Sequence, residues 1–307
     1  MEKSILVTGA NGMLATNIIE QLAMAGYRVT GTVRKGRAYR GKVSDNIEIV
    51  EADFKDAGAM APLVARCDTV FHVAAMTSQS EKDYEVFRSV NVRSTEMLLD
   101  LAVSNSVRTF VYVSTANTIG FGGAEGREMT YPFTESLYAR SKKEAEDAVM
   151  KYSGKLKVVV VNPTFMIGKY GSEKGSDRVF SMVRKSPVLF CPSGGKNVID
   201  VQEAARGMVL AMEKGATGSQ YLICGRNYSY NGLFRKIASG MKVRRIYINL
   251  PDWLLRIAGR FGDLMARCGI STEVSSTNIN ILLINNFYTT DKAARELGFV
   301  PHDLFEE

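Results

Sequence analysis

The chain has 307 residues, 46% of them hydrophobic and 23% charged, with a net charge of +7. That length and balance exclude a disordered chain and a small stapled scaffold, and suit one large α/β unit or two closely joined domains. Four scattered cysteines (Cys67, Cys191, Cys224, Cys268) with no Cys-x-x-Cys, and only two histidines (His72, His302), exclude a disulfide framework and a His-ligated metal centre; no metal is expected, and a reducing, cytoplasmic setting fits best.

The N-terminal run "MEKSILVTGANG" is too short and too rich in glycine for a signal peptide, and no apolar stretch reaches the ~18 residues of a spanning helix. Strands are expected at "SILVTG", "RVTGTV", "IEIVEAD", "TVFHVAA", "RTFVYVST" and "LKVVVVNP". Helical spacing fills the intervals at about 12–25, 56–66, 81–104 and 136–152. Near-continuous Val/Ile strands are buried on both faces, as in a parallel sheet, and strand–helix alternation then gives a Rossmann-type doubly wound fold. After Pro163 the pattern loosens into the Gly-rich "MIGKYGSEKGS", "NVIDV", a helix at 202–214, "QYLIC", a helix from about 229, and "RIYINL". This divides the chain into a dinucleotide-binding domain over 1–165, with returning pieces near 197–224 and 287–300, and a smaller substrate cap over 166–196 and 225–286.

The first strand–helix junction is the most specific local signal. In "ILVTGANGMLATNIIEQL" a buried strand ends at Val7, and Gly9, Gly12 and Ala15 open a helix. Gly9 permits the tight turn. Gly12 lets the backbone approach a pyrophosphate on the helix N–H groups, and a small residue at 15 lets helix and strand pack closely. A site for NAD usually carries an acid after the second strand. Here "TGTVRKGRAYRGK" has none, and Arg34 ends the strand with a planar fork suited to a 2′-phosphate. NADP is therefore expected over NAD. Asp53 is placed to accept from the adenine amino group or to start a helix.

Tyr and Lys four residues apart occur three times, as Tyr138/Lys142, Tyr170/Lys174 and Tyr288/Lys292. The second pair lies in the Gly-rich loop, and the third straddles a strand-to-helix boundary. Only the first sits on a continuous helix, where i and i+4 share a face. A Tyr hydroxyl can protonate a carbonyl, and a neighbouring ammonium is expected to lower its ordinary pKa of about 10. Thr115 is read as ending the fifth strand at the sheet's C-terminal edge, and strand alternation points Ser114 to the other face.

Together "TGANGMLA", "EADFKD", "VFHVAA", "NVRST", "VYVSTA", "YARSK", "VNPTFMIG", "DVQEAARGMVLAME" and "TTDKAARELGFVP" make the chain resemble the extended short-chain dehydrogenase/reductase family nearly end to end. Within it, the resemblance is to the branch of the dihydroflavonol-4-reductases and 3β-hydroxysteroid dehydrogenases. "VVVVNPTFMIG" lacks the Arg of sugar-nucleotide epimerases, and Ala116 and Asn117 stand where 4,6-dehydratases carry Asp-Glu. Ile119 replaces a common Tyr, and Lys169 a common Pro. The resemblance implies an oxidoreductase with Tyr138 as acid/base, Lys142 as its activator and ribose contact, and Thr115 as the substrate-orienting hydroxyl. It implies cofactor contacts from Gly9, Asn11, Gly12, Met13, Leu14, Arg34, Asp53, Phe54, Ala74, Ala75 and Pro163. Substrate contacts are implied for Thr115, Asn117, Thr164 and Phe165, and Asn91 matches a family Asn.

The expected substrate is the carbonyl or secondary alcohol of a small, mostly apolar molecule. A nucleotide-sugar epimerase and a non-catalytic NADP-binding redox sensor are the alternatives. Relatives also imply a homodimer through the helices at 81–104 and 136–152. Between Arg226 and Arg260 eight basic residues meet one acid, Asp252. This reads as a solvated basic face, or one turned to an anionic substrate or membrane; nucleic acid is not expected, since no recognition motif accompanies it. In "NLPDWLLRIAGRFGDLMARC", Leu250, Trp253, Leu254, Ile257, Phe261 and Leu264 form one stripe, read as a cap helix over the substrate, with peripheral membrane contact through 250–268 as the alternative.

Overall fold

Strands that are apolar along their whole length must be covered on both faces. The computed structural model describes residues 4–78, 81–120, 136–172, 177–270, 272 and 274–305. The first strands are β1 (Ser4–Val7), β2 (Arg28–Val33), β3 (Ile47–Glu51), β4 (Thr69–His72), β5 (Thr109–Val113) and β6 (Lys157–Pro163). Then follow β7 (Phe165–Ile167), β8 (Val188–Cys191), β9 (Gly195–Asp200), β10 (Ser219–Ile223), β11 (Arg226–Ser229), β12 (Ile246–Asn249) and β13 (Asn285–Asn286). The helices are α1 (Met13–Met24), α2 (Ala57–Val64), α3 (Tyr84–Phe87), α4 (Ser94–Ser104), α5 (Leu137–Met150) and α6 (Arg178–Lys185), then α7 (Val201–Lys214), α8 (Tyr230–Gly240), α9 (Asp252–Arg267), α10 (Ser276–Leu283) and α11 (Asp291–Leu297). Among the described residues no helix is long and apolar enough to cross a membrane.

The main sheet runs β10-β6-β5-β4-β1-β2-β3, and every pairing in it is parallel. Ile18, Ile19 and Leu22 of α1 and Ala204, Met208 and Ala211 of α7 cover one face, with Leu297 of α11 in the same core. Leu98 and Leu99 of α4, Ala145 and Val149 of α5 and Met60 of α2 cover the other. The strand order reverses between β1 and β4, so a crevice opens at the C-terminal ends of these strands.

The smaller part has its own core, in which Ile167, Val183, Leu189, Leu233, Phe234 and Ile237 meet. There β9 pairs with β7, β11 and β13, and β8 pairs with β12. "NVIDV" therefore belongs to this small sheet, and the chain re-enters the main layer only with α7 and β10. Between α3 and α4 the helix widens into a π-type turn over Arg88–Arg93, which contains Asn91.

Candidate active site

Glycine sets the turn after β1. Gly9 has φ +74°, and a Cβ there would sit 3.0 Å from the Cβ of Ala74. Gly12 caps α1 without a side chain, and no acid occupies the first turn of that helix. The Thr16 hydroxyl ties the turn to the carbonyls of Ala10 and Gly12 at 2.9 and 2.8 Å. The positive end of α1 is thus offered to an anion. Replacing Gly9 by Val adds about 1–2 kcal/mol of strain at positive φ and pushes the turn off Ala74. The expected result is dinucleotide binding weakened by at least about tenfold, read by coenzyme fluorescence; unchanged affinity would take this turn out of the site.

This turn opens on a cleft of about 680 Å³. Its lining includes Gly9, Asn11, Gly12, Met13, Leu14, Arg34, Phe54, Ala74, Ala75, Tyr138, Lys142 and Pro163, all anticipated from the sequence. Asp53 does not line it. Its carboxylate accepts from the Lys55 N–H at 3.0 Å and pairs with the Lys55 ammonium at 3.5 Å, while Lys55 lines the cleft. Thr32, Met76, Ser114 and Met166 also line it and escaped the sequence reading. The cations Arg34, Lys55 and Lys142 face the cleft, and no carboxylate does among the described lining residues.

The strand-end hydroxyls are arranged differently from the expectation. β5 stops at Val113, so alternation no longer governs the next two residues. Ser114 is 4% exposed, lines the cleft, and its Oγ has no protein partner. Thr115 caps a short helical turn over Ala116–Thr118, accepting from the Asn117 N–H at 3.3 Å, and its hydroxyl hydrogen-bonds the Tyr138 phenol. An unpartnered buried hydroxyl and a cradle that a Cβ would fill both fit a bound dinucleotide.

Tyr138 lies in the first turn of α5, and Lys142 one turn on. Lys142 is 1% exposed; its ammonium donates to the Val113 carbonyl at 2.7 Å and lies 4.1 Å from the centre of the Tyr112 ring. The expectation that Lys142 lowers the Tyr138 pKa does not describe this geometry. Burial pushes the phenol up to about 12, opposed by the Thr115 hydrogen bond and reinforced by the Glu146 carboxylate. Burial brings Lys142 down to about 7, against the upward pull of Glu146. Each group's own desolvation outweighs the pull of its charged and hydrogen-bonding neighbours, and both are driven toward neutrality.

Behind this pair, Glu146 is 2% exposed and accepts from Thr118 Oγ1 at 2.5 Å and Asn162 Nδ2 at 2.7 Å. Asn162 Nδ2 also reaches the Thr115 carbonyl at 3.0 Å. On the other side, buried Asn91 accepts from the Met76 N–H at 2.7 Å and donates to Ser141 Oγ at 2.9 Å, which itself donates to the Tyr138 carbonyl at 2.8 Å. Asn91 thus clamps the cleft wall to α5. Buried His72 is held neutral, its pKa pushed down to about 3 by burial and by Lys142, and bridges Thr8 and Thr95 at 2.9 and 3.0 Å.

The remaining expected residues sit elsewhere. Thr164 donates to Asn197 Oδ1 at 2.7 Å, and Phe165 packs on the small core beneath Lys196. Asn117 lies in the turn beside Thr115 and does not line the cleft. Of the other Tyr/Lys pairs, Tyr170 donates to Glu20 at 2.6 Å, and Lys174 lies outside the described residues. Tyr288 donates to the Gly120 carbonyl at 3.0 Å, whereas Lys292 donates to that of Gln220 at 3.1 Å. Tyr288 and Lys292 therefore turn to different partners.

The NAD dependent epimerase/dehydratase family matches residues 5–224. The chain is 28% identical, over 97% of its length and 90% of the relative's, to a Synechocystis sp. protein carrying the name of a dihydroflavonol 4-reductase. It is 25% identical, over 95% of its length and 90% of the relative's, to the 4-hydroxy-2-methyl-3-oxo-4-farnesyl-3,4-dihydroquinoline-1-oxide ketoreductase of Stigmatella aurantiaca. Among solved structures, gox2253 superposes with a TM-score of 0.84 at 26% identity, covering 98% of this chain and 94% of that one. The UDP-glucose 4-epimerase of Thermotoga maritima shares the fold, with a TM-score of 0.75 at 21% identity over 97% and 93% of the two chains. A match running through the whole parallel sheet, on a cleft whose turn and helix end fit a dinucleotide, makes this chain a member of the NAD-dependent epimerase/dehydratase family, within the extended short-chain dehydrogenases/reductases, and an NAD(P)-dependent enzyme.

Proposed function

We propose that the enzyme uses NADP and reduces the carbonyl, or oxidises the secondary alcohol, of a small, mostly apolar molecule. The observation that carries the coenzyme choice is the cleft's charge: Arg34 and Lys55 face it, and no carboxylate lines it among the described residues. A ribose 2′-OH is ordinarily held by an acid, a 2′-phosphate by a cation. The apolar character of the substrate is supported by Met76, Val90, Val113 and Met166 in the cleft lining, and by the reductase and ketoreductase names of the relatives.

The bound nicotinamide supplies the hydride chemistry. The protein's part is to deliver a proton and hold charge. The Tyr138 phenol, protonated up to about pH 12, gives its proton to the carbonyl oxygen as negative charge develops there. Thr115 orients that phenol, and Lys142 brings a positive charge into the same wall. A resident proton on Tyr138 favours the reductive direction, since oxidation needs the phenolate first. The test is a panel of carbonyl substrates with NADPH and NADH side by side, with UDP-sugars as the competing panel. Turnover of UDP-sugars alone would move the enzyme to the epimerases, and coenzyme binding without any turnover to the redox sensors. Arg34→Ser is expected to raise KM for NADPH roughly tenfold, the effect of a lost charge-assisted hydrogen bond, and to leave KM for NADH unchanged. Equal loss with both coenzymes would refute the 2′-phosphate assignment.

A further inference from the structure

α9 is fastened along one narrow side. Its buried positions are Leu255, Gly259 and Gly262. A Cβ on Gly259 would sit 3.0 Å from Ser276 Cα, and one on Gly262 would overlap the Val274 carbonyl, so the helix lies backbone to backbone on Val274 and Ser276. The apolar stripe is on the other side. Trp253 is 64% exposed, Leu254 42%, Ile257 55%, Phe261 63% and Leu264 55%. None of these stripe residues lines the cleft, and the glycine side does the packing. Just upstream, Ile246 and Ile248 alternate outward on β12, and Phe190 stands in register with Ile248, all three exposed. Among the described residues, nine of the fourteen large exposed apolar side chains fall between Ile246 and Val274, which makes this a concentrated feature of the chain and not scatter.

Charge borders the stripe. At about 3.6 residues per turn, Arg256, Arg260 and Arg267 fall in one row between the apolar stripe and the packed side. Arg256 and Arg260, with Ser276, Ile279 and Asn280, line a recess of about 230 Å³ between α9 and α10. The Arg256 guanidinium donates to Asn280 Oδ1 at 3.3 Å. Of the two acids on the helix, Asp263 accepts from the Ser276 N–H at 3.0 Å, which leaves Asp252 at the first turn.

We propose that α9 docks this enzyme on an anionic phospholipid surface, the stripe entering the acyl boundary and the arginine row meeting the headgroups. An exposed Trp, a wide apolar stripe and a bordering cationic row are what a helix lying in a membrane interface requires. A second copy of the chain fits less well. A two-fold interface through this stripe would bring two arginine rows together without matching acids.

The test is vesicle flotation with phosphatidylcholine alone and with phosphatidylglycerol added. The chain has a single Trp, Trp253, so its fluorescence reports this helix alone. Binding to the phosphatidylglycerol vesicles is expected to be at least tenfold tighter, to weaken with salt, and to shift Trp253 emission to the blue. Ile257→Asp with Phe261→Asp should abolish binding, and Arg256→Ser with Arg260→Ser should remove the lipid preference. Coenzyme binding checks the fold of each variant. No flotation with unmoved Trp253 emission would overturn the proposal, as would equal binding to both vesicles. A dimer in light scattering that Ile257→Asp/Phe261→Asp breaks would also overturn it, making the face a protein interface. None of these readouts uses turnover, so their failure leaves the coenzyme and carbonyl reading untouched.

Discussion

Tyr138→Phe is expected to lower kcat/KM by roughly 10²–10⁴-fold, the range of a lost general acid, with coenzyme affinity and thermal stability nearly unchanged. The substitution removes one hydroxyl from a half-buried ring and leaves the ring's packing in place. The oxygen it removes is the one Thr115 bonds at the cleft wall. The phenol is already protonated at any working pH, so it adds no limb to the reductive pH profile below about 12. Lys142 does add one: with its pKa near 7, reduction should slow as pH rises through that value if its charge is needed. Single-turnover hydride transfer measured against pH separates the two. Turnover by the Phe variant within about tenfold of the parent, less than the usual effect of a general acid, would remove Tyr138 from the chemistry.

The features readable in the sequence were those with a strict local geometry. Gly9 and Gly12 announce themselves because only glycine suits a positive φ and a close approach, and both line the cleft. Tyr138 and Lys142 are tied by helix period, and Arg34 by its place at a strand end. What escaped depended on competition between neighbours. Alternation assigned Ser114 and Thr115 to opposite faces, but it applies only within a strand, and β5 ends before both. Asp53 is in the right segment, yet Lys55 two residues on takes its carboxylate. Thr164 and Phe165 follow the right strand, yet the small sheet claims them through Asn197 and the Ile167–Val198 core. The stripe of α9 was legible as a stripe. Its direction was not, because an apolar pattern does not say what covers it; Gly259 and Gly262 carried that information, since another stretch of backbone comes close at both.

Lys142→Met is expected to make the protein more stable and the enzyme slower. Lys142 is buried, and its folded pKa of about 7 lies below its ordinary value near 10.5. The sign follows from proton counts. Between about pH 7 and the unfolded value the unfolded chain holds a proton that the native chain lacks, so stability rises with pH across that window. Below it both states are protonated, and the full cost of burying the ammonium is present. Every tenfold loss of proton affinity on folding corresponds to about 1.4 kcal/mol, but the Val113 carbonyl and the Tyr112 ring return part of that. A net gain on the order of 3 kcal/mol near pH 6 remains for the Met variant, whose unbranched chain fills the space of the Lys stem. Its melting temperature should rise by several degrees near pH 6, and the difference from the parent should shrink as pH climbs toward 10. Glu146 keeps its bonds from Thr118 and Asn162 in the variant, and the Val113 carbonyl is the buried group that loses its ammonium donor. Turnover should fall at least about tenfold with the lost charge. A Met variant that melts lower than the parent near pH 6 would show that the carbonyl and ring outweigh desolvation. Lys142 would then serve the fold as well as the reaction, and no stability would have been given up for its charge.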